Sequence, residues 1–380
     1  MDFAFNEEQT MFQQTTRQYL QSKGDLEIPR NYMEGKKEIL TQLWGGLAEL
    51  GFMGINVAEQ YGGIGLGHLS ILPILEEMGR AVIPGPYPET VAFAIPLLNE
   101  FGTEEQKKRY LPDVASGKTK FTLAIIDDRK NQLKADLQGD NYVLNGAKIL
   151  VAHAEFADLM IVAVRTGASN QDVSLLIVDH HQLHAECQPV KSIDETRTLF
   201  TVSFSDFLVP KENLLGQESA GDQILKAGLN ELTAAWSATM VGGMDRVVDM
   251  SVQYVKTREQ FGQPVGRFQA VKHKVVDMLL ALENARSLSY YASWTVENKA
   301  GDTFEAVSMA KSYNSEAYIR TANANIQNHG GMGFTWEFDC HLFLKRARSL
   351  ENYLGSPQEH RENIAKESGW NKEKVLQYNK

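Results

Sequence analysis

The chain has 380 residues, enough for two or three domains, and its 43% hydrophobic content lets it bury a sizeable core, which excludes global disorder. A net charge of −10 counts against a nucleic-acid-binding surface, which needs clustered Lys and Arg over phosphates, while leaving room for one local basic site. Its two cysteines, Cys187 and Cys340, lie far apart and form no C-x-x-C unit, as expected for a reducing cytosol with no disulfide framework.

The first residues, MDFAFNEEQTMFQQ, contain no basic stretch followed by an apolar run, so no secretory signal is expected, and the location expected is cytoplasmic. No apolar run approaches the roughly 18 residues of a membrane span. Residues 1–120 read as helical: Glu7 and Glu8 open a polar–apolar pattern, and Lys36 to Leu50 carries apolar residues at helical spacing. Gln60-Tyr61-Gly62-Gly63-Ile64-Gly65 and Pro84-Gly85-Pro86-Tyr87-Pro88 break the pattern as loops, through backbone freedom and missing helix donors.

Between 121 and 220 the period shortens. Phe121 to Ile126, Asn141 to Leu144, Leu159 to Val164 and Ser174 to Val178 read as strands, with Gln138-Gly139-Asp140 and Asn145-Gly146 read as turns. His180, His181, His184 and Cys187 follow in a polar connection; with no second ligand pair at zinc spacing they read as a surface hairpin loop, not a metal site. From 221 to 380 the helical period returns. Leu225, Leu229, Leu232, Trp236, Met240, Met244 and Val248 make one long stripe, and further helices are expected from Gln269 to about Asn298 and from Thr303 to about Gln327. Gly330-Gly331 stops the last of these. Trp336 and Phe338 beside His341 are expected to pack between helices. Read alone, Arg258 is a cation at a helix end and the glycine pair a helix stop.

Four motifs in order change that reading. They are Gly54-Ile55-Asn56-Val57-Ala58-Glu59-Gln60-Tyr61-Gly62-Gly63, Gly102-Thr103-Glu104-Glu105-Gln106-Lys107 through Pro112, Arg258-Glu259-Gln260-Phe261-Gly262-Gln263-Pro264, and Gln327 with Gly330-Gly331 leading to Tyr353-Leu354-Gly355-Ser356. On a helical–β–helical frame they resemble the acyl-CoA dehydrogenase family over essentially the whole chain. The resemblance implies an α+β fold with an N-terminal helical domain (1–120), a middle β-barrel or sandwich domain (121–220) and a C-terminal four-helix bundle (221–380). It also implies FAD as cofactor, held at Arg258, Phe261, Gln327, Gly330, Gly331, Tyr353, Ser356 and Gln358. A guanidinium forks onto a diphosphate through paired hydrogen bonds, and glycines admit phosphate oxygens close to the backbone. No metal is expected.

The chemical groups are where the chain departs from the family. Desaturation next to a thioester needs a carboxylate base of raised pKa. The family's glutamate between tyrosine and glycine is Leu354 here, and its alternative position on the long helix is Leu232. Glu231 points about 100° away around the helix, Glu351 reads as a solvated charge, and Thr233 stands where the family often has arginine. After the first strand the Thr-Glu-Pro and Gly-Ser-Asp loop becomes Ala124-Ile125-Ile126-Asp127-Asp128-Arg129-Lys130. Leu150 and Ala152 replace the tryptophan and threonine beside the flavin. No catalytic residue is therefore assigned.

The reading is an acyl-CoA dehydrogenase-family oxidoreductase acting on CH–CH groups, serving as the base-lacking subunit beside a base-bearing homologue. Some heteromeric members, notably those acting on steroid side-chain thioesters, resemble it. A tetramer, an acyl-CoA substrate and an electron-transferring flavoprotein as acceptor follow from the resemblance. A self-sufficient homo-oligomer with a relocated base, a flavin monooxygenase use and a non-catalytic scaffold stand as alternatives.

Overall fold

The computed structural model describes residues 5–167, 169, 172–179, 181 and 187–370. Helices come first: α1 (Glu7–Ser22), α2 (Glu27–Met33), α3 (Glu38–Glu49), α4 (His68–Arg80), α5 (Ile95–Phe101) and α6 (Glu104–Ala115). Local sequence sets their starts. Asn6 with Gln9, and Thr103 with Gln106, form reciprocal capping boxes that satisfy the first free amides of α1 and α6.

The strands β1 (Phe121–Ala124), β2 (Lys134–Gln138), β3 (Asn141–Ala152), β4 (Leu159–Arg165), β5 (Val173–Asp179), β6 (Cys187–Val190), β7 (Leu199–Pro210) and β8 (Leu214–Leu215) form one eight-stranded sheet. Its order is β6-β7-β3-β2-β4-β5-β8, with β1 pairing parallel to β4. Five consecutive residues of β4 and of β5 are buried, the signature of strands covered on both faces. Asn145-Gly146 is not the turn its dipeptide suggests. β3 runs straight through it, and the pairing with β7 slips one step there as a bulge whose extra residue lies on β7, where Asp206 takes φ 46°, opposite Gly146 at φ 137°. Pairing with β7 on one side and β2 on the other outweighs the local turn preference.

After the sheet come α7 (Gly221–Thr257), a short ribbon of β9 (Glu259–Gln260) and β10 (Gln263–Pro264), then α8 (Gln269–Glu297), α9 (Thr303–His329), α10 (Cys340–Glu351) and α11 (Pro357–Glu367). The expected single stripe of α7 understates its burial, because every residue from Leu232 to Met244 is buried and the middle of the helix is covered all round. No helix among the described residues is long and apolar enough to cross a membrane.

The chain divides into two compact units, one of residues 1–30, 68–83 and 233–380, the other of 31–67 and 84–232. In the first, α4 and α7 meet backbone to backbone. A Cβ on Gly79 would lie 2.0 Å from the Thr239 carbonyl oxygen, and one on Gly242 would lie 1.8 Å from that of Glu76. The second unit is built on the sheet, whose core gathers Tyr142, Leu144, Val162, Leu176, Phe200 and Val202.

Candidate functional site

Arg258 is the first residue past α7. Its N–H still donates to the Tyr254 carbonyl at 2.8 Å, and its carbonyl accepts from Val265 N–H at 2.8 Å, closing the β9–β10 ribbon. Gln260 pairs with Gln263, so Phe261 and Gly262 form a two-residue hairpin loop, both with positive φ (52° and 77°). Glycine adopts that conformation freely and phenylalanine does so at a cost. Phe261 is also 92% exposed, with its ring edge-on to Phe268 at 6.0 Å.

At the other end of the motif, Gln327 lies in the last turn of α9, and its carbonyl accepts the Gly330 N–H that ends the helix. Gly330 sits at φ 60°, ψ −138°, a region open to glycine. A Cβ at Gly330 or at Gly331 would meet nothing within 4 Å. Both glycines border empty space.

Arg258, Gln327, Gly330 and Gly331 meet in one open cavity of about 500 Å³, with Tyr254, Gln260, His329 and Lys274 also in its wall. Its lining contains no carboxylate. Burial holds the His329 imidazole below its ordinary pKa, and Nδ1 lies 2.8 Å from the Asn325 carbonyl oxygen; the ring stacks on Tyr254 at 4.3 Å. The two cations, Arg258 and Lys274, have no ion-pair partner among the described residues. Such a wall attracts an anion, because nothing in it cancels the field of the two charges.

Tyr353, Leu354, Ser356 and Gln358 belong to a different part of the same unit and do not line that cavity. The Tyr353 ring stands perpendicular to Trp236 at 5.8 Å. Leu354 takes a left-handed conformation, φ 61°, followed by Gly355 at φ 106°. Ser356 caps α11: its Oγ accepts from Glu359 N–H, while its own N–H donates to the Glu359 carboxylate at 2.7 Å. Among the described residues the Gln358 side chain reaches only Glu362, at 3.4 Å.

Two clamps, Lys311 of α9 and His360 of α11, hold the Leu354 loop, and the sequence reading missed both. Lys311, 1% exposed, sends Nζ to the carbonyls of Leu350 and Glu351 (3.0 Å each) and to Ser315 Oγ (2.9 Å). It takes up carbonyls that the end of α10 leaves free. Burial pushes its pKa down to about 7, partly offset by Glu351. His360 completes the second clamp, with Nε2 3.0 Å from the Leu354 carbonyl oxygen and Nδ1 3.2 Å from Ser308 Oγ. The signal for Lys311 was available: it sits among Ala306, Val307, Ala310 and Ala317, at helical spacing on the buried face. Glu351 pairs with Arg348 at 3.2 Å. Trp336 does not pack between helices as expected but is 59% exposed, beside His341 and under Lys345.

In the other unit, Leu232 is fully buried. The segment after β1 is laced onto β3: Ile149 N–H donates to the Ile126 carbonyl and Asp128 N–H to that of Ala147. Asp127 pairs with the buried ammonium of Lys148 at 2.7 Å, where burial lowers the lysine pKa against the pull of the carboxylate. Leu150 is exposed at φ 56° and Ala152 is buried. Of the histidines read as a surface hairpin loop, His180 and His184 lie outside the described residues, and His181 stands 3.4 Å from Asp158.

Comparison with known proteins places this architecture. The family model described as "Acyl-CoA dehydrogenase, N-terminal domain" matches residues 6–118, and that described as "Acyl-CoA dehydrogenase, C-terminal domain" matches residues 220–369. The chain is 31% identical to the probable acyl-CoA dehydrogenase YngJ of Bacillus subtilis, over 97% of this chain and 99% of that one. It is 29% identical to the caffeyl-CoA reductase–Etf complex subunit CarC of Acetobacterium woodii, over 93% and 96%. Among solved structures it is similar to the acyl-CoA dehydrogenase of Bacillus anthracis complexed with FAD, with a TM-score of 0.87 at 27% identity over 95% of this chain and 68% of that one. Helices, sheet and helices in this order, with both terminal regions matched and relatives aligned nearly end to end, identify the chain as a member of the acyl-CoA dehydrogenase family.

Proposed function

We propose that this protein is the base-lacking subunit of a heteromeric, FAD-dependent acyl-CoA dehydrogenase that α,β-desaturates an acyl-CoA thioester, partnered by a homologue that carries the glutamate. The observation that carries the reading is the pairing of Leu354, on a doubly clamped loop, with an intact anion-attracting cavity around Arg258. FAD, when bound, is the acceptor of the two electrons removed from the substrate. The residues fit its diphosphate: Arg258 forks onto phosphate oxygens, Gln327 supplies an amide, and Gly330-Gly331 leave the space in which the oxygens lie. Phe261, exposed and held in a costly conformation, extends the same end toward the adenosine and a neighbouring subunit.

The ring end does not fit. The side chains of Leu150 and Ala152 offer no hydrogen bond to a flavin, and the segment after β1 is spent on β3 through Asp127 and Lys148. Leu354 and Leu232 accept no proton. The base, and the contacts to the flavin ring, then come from the partner subunit, while this chain orients the diphosphate. Tyr353, Ser356 and Gln358 serve by shaping the Leu354 loop and the start of α11. In this reading the assembly passes its electrons to an electron-transferring flavoprotein in the cytoplasm; one relative is itself named as a subunit of an Etf complex.

The test is spectroscopic. The chain purified alone is expected to lack stoichiometric flavin absorbance, and co-expression with a homologue bearing the glutamate is expected to restore it together with acyl-CoA-dependent bleaching. Stoichiometric FAD and bleaching in the isolated chain would refute the heteromeric reading. Flavin absent from both preparations would favour the scaffold alternative.

A further inference from the structure

The cavity at Arg258 holds a second cation that no motif singled out. Lys274 lies in the second turn of α8, one turn after Val271, which lines the same wall. It is half-buried in that wall. Among the described residues it has no carboxylate partner. The protein as a whole carries a net charge of −10, yet this wall has two cations, no carboxylate, and a histidine whose burial lowers its pKa. Two cations on one wall with no carboxylate between them give it a positive local potential that favours an anion.

The formal charge facing the cavity is therefore +2, one each from Arg258 and Lys274. A diphosphate diester carries two negative charges at neutral pH, one on each phosphate. We propose that Lys274 is a phosphate-binding residue of this cavity, and that it supplies the second charge that matches the site to a diphosphate diester. This rests on the proposed cofactor role of the cavity and adds to it a residue and a charge count. The guanidinium gives paired, directional hydrogen bonds, and the ammonium gives a mobile point charge to the remaining oxygens. Two soluble molecules offer the same chemistry, the dinucleotide FAD and the diphosphate of coenzyme A.

The experiment is equilibrium binding of FAD, ADP and coenzyme A to the full chain in the assembly with which it purifies, followed by calorimetry at several salt concentrations. Lys274→Met is expected to weaken binding of the matching ligand about tenfold, the loss of one charge-assisted hydrogen bond at a partly exposed site. It should also flatten the salt dependence, since one fewer charge is screened. Lys274→Arg is expected to stay within a few-fold of the unaltered protein. A matching melting temperature keeps the Lys274→Met result from being read as misfolding. A preference for FAD over coenzyme A assigns the diphosphate to the cofactor, and the reverse assigns it to the substrate. Unchanged affinity and salt dependence in Lys274→Met, with Arg258→Met weakened, would overturn the role of Lys274 and leave the cofactor reading standing. If no diphosphate binds the unaltered assembly, or if neither substitution alters binding, both fall.

Discussion

Lys311 shows how the Leu354 loop of this chain is held from below. One ammonium satisfies two carbonyls at the end of α10 and fixes where the chain departs into Tyr353 and Leu354. Its pKa, lowered from 10.5 to about 7 by burial, has a definite consequence for stability. Below pH 7 the lysine is protonated in both folded and unfolded chains, and the folded state bears the full cost of burying the charge. Between about 7 and 10.5 the unfolded chain binds more protons than the folded one, so this group makes stability rise with pH across that window. Urea unfolding at pH 7 and pH 9 should show the rise in the unaltered protein and a flatter response in Lys311→Met. At pH 7 the substitution leaves two buried carbonyls without a donor and is expected to cost about 1–3 kcal/mol. An unchanged pH response in the variant would mean that the lysine is not the group responsible.

At the scale of elements, α4 and α7 touch so closely that only glycine fits at the crossing. A Cβ on Gly242 would lie 1.8 Å from a backbone oxygen, a contact that no rotamer change relieves. Gly242→Ala is expected to destabilise the protein by about 3 kcal/mol, read as a fall in the urea midpoint, because the two helices must separate to admit one methyl group. Gly301→Ala, at a glycine with nothing within 4 Å, is the control and should change little. The elements themselves were largely legible in the sequence. The shift of period from helical to alternating and back was visible, and α8 and α9 lie within two residues of their expected ends. Asn145-Gly146 was misread because turn chemistry is local, whereas the pairing that overrides it comes from β7, far along the chain. The burial of α7 on all sides was hidden for a related reason: polar Ser237 and Thr239 are covered by neighbours that no periodicity names.

For the molecule as a whole, what the sequence conveyed about the site came in unequal parts. Arg258, Gln327 and the glycine pair were found through a resemblance in motif, and the structure gathers them at one cavity. Lys274 was not found, because a lysine's role depends on what surrounds its ammonium; the burial of Lys311 was legible from its spacing, but the Leu350 and Glu351 carbonyls it holds are a property of the packed chain. Phe261 presents the opposite case. A ring that is 92% exposed on a ribbon tip contributes little to the stability of its own chain, and in the proposed heteromer its role is in association. Phe261→Ala should leave the melting temperature within about 1 °C, as surface substitutions do. Sedimentation of the co-expressed complex should show weaker assembly and less retained flavin. A large fall in melting temperature would place the ring's role inside the fold.

The empty space beside Gly331 lends itself to a different use. Its backbone has no positive φ, and a methyl group added there would touch no atom of the protein, so Gly331→Ala should fold and melt like the unaltered chain. Whatever that methyl displaces is foreign to the polypeptide. A scan of fold stability would score the position as indifferent, and a scan of flavin retention in the assembled complex would score it as intolerant. Subtracting one map from the other at every residue traces the outline of the bound molecule without a ligand in view, and Gly331 is where that outline should be sharpest.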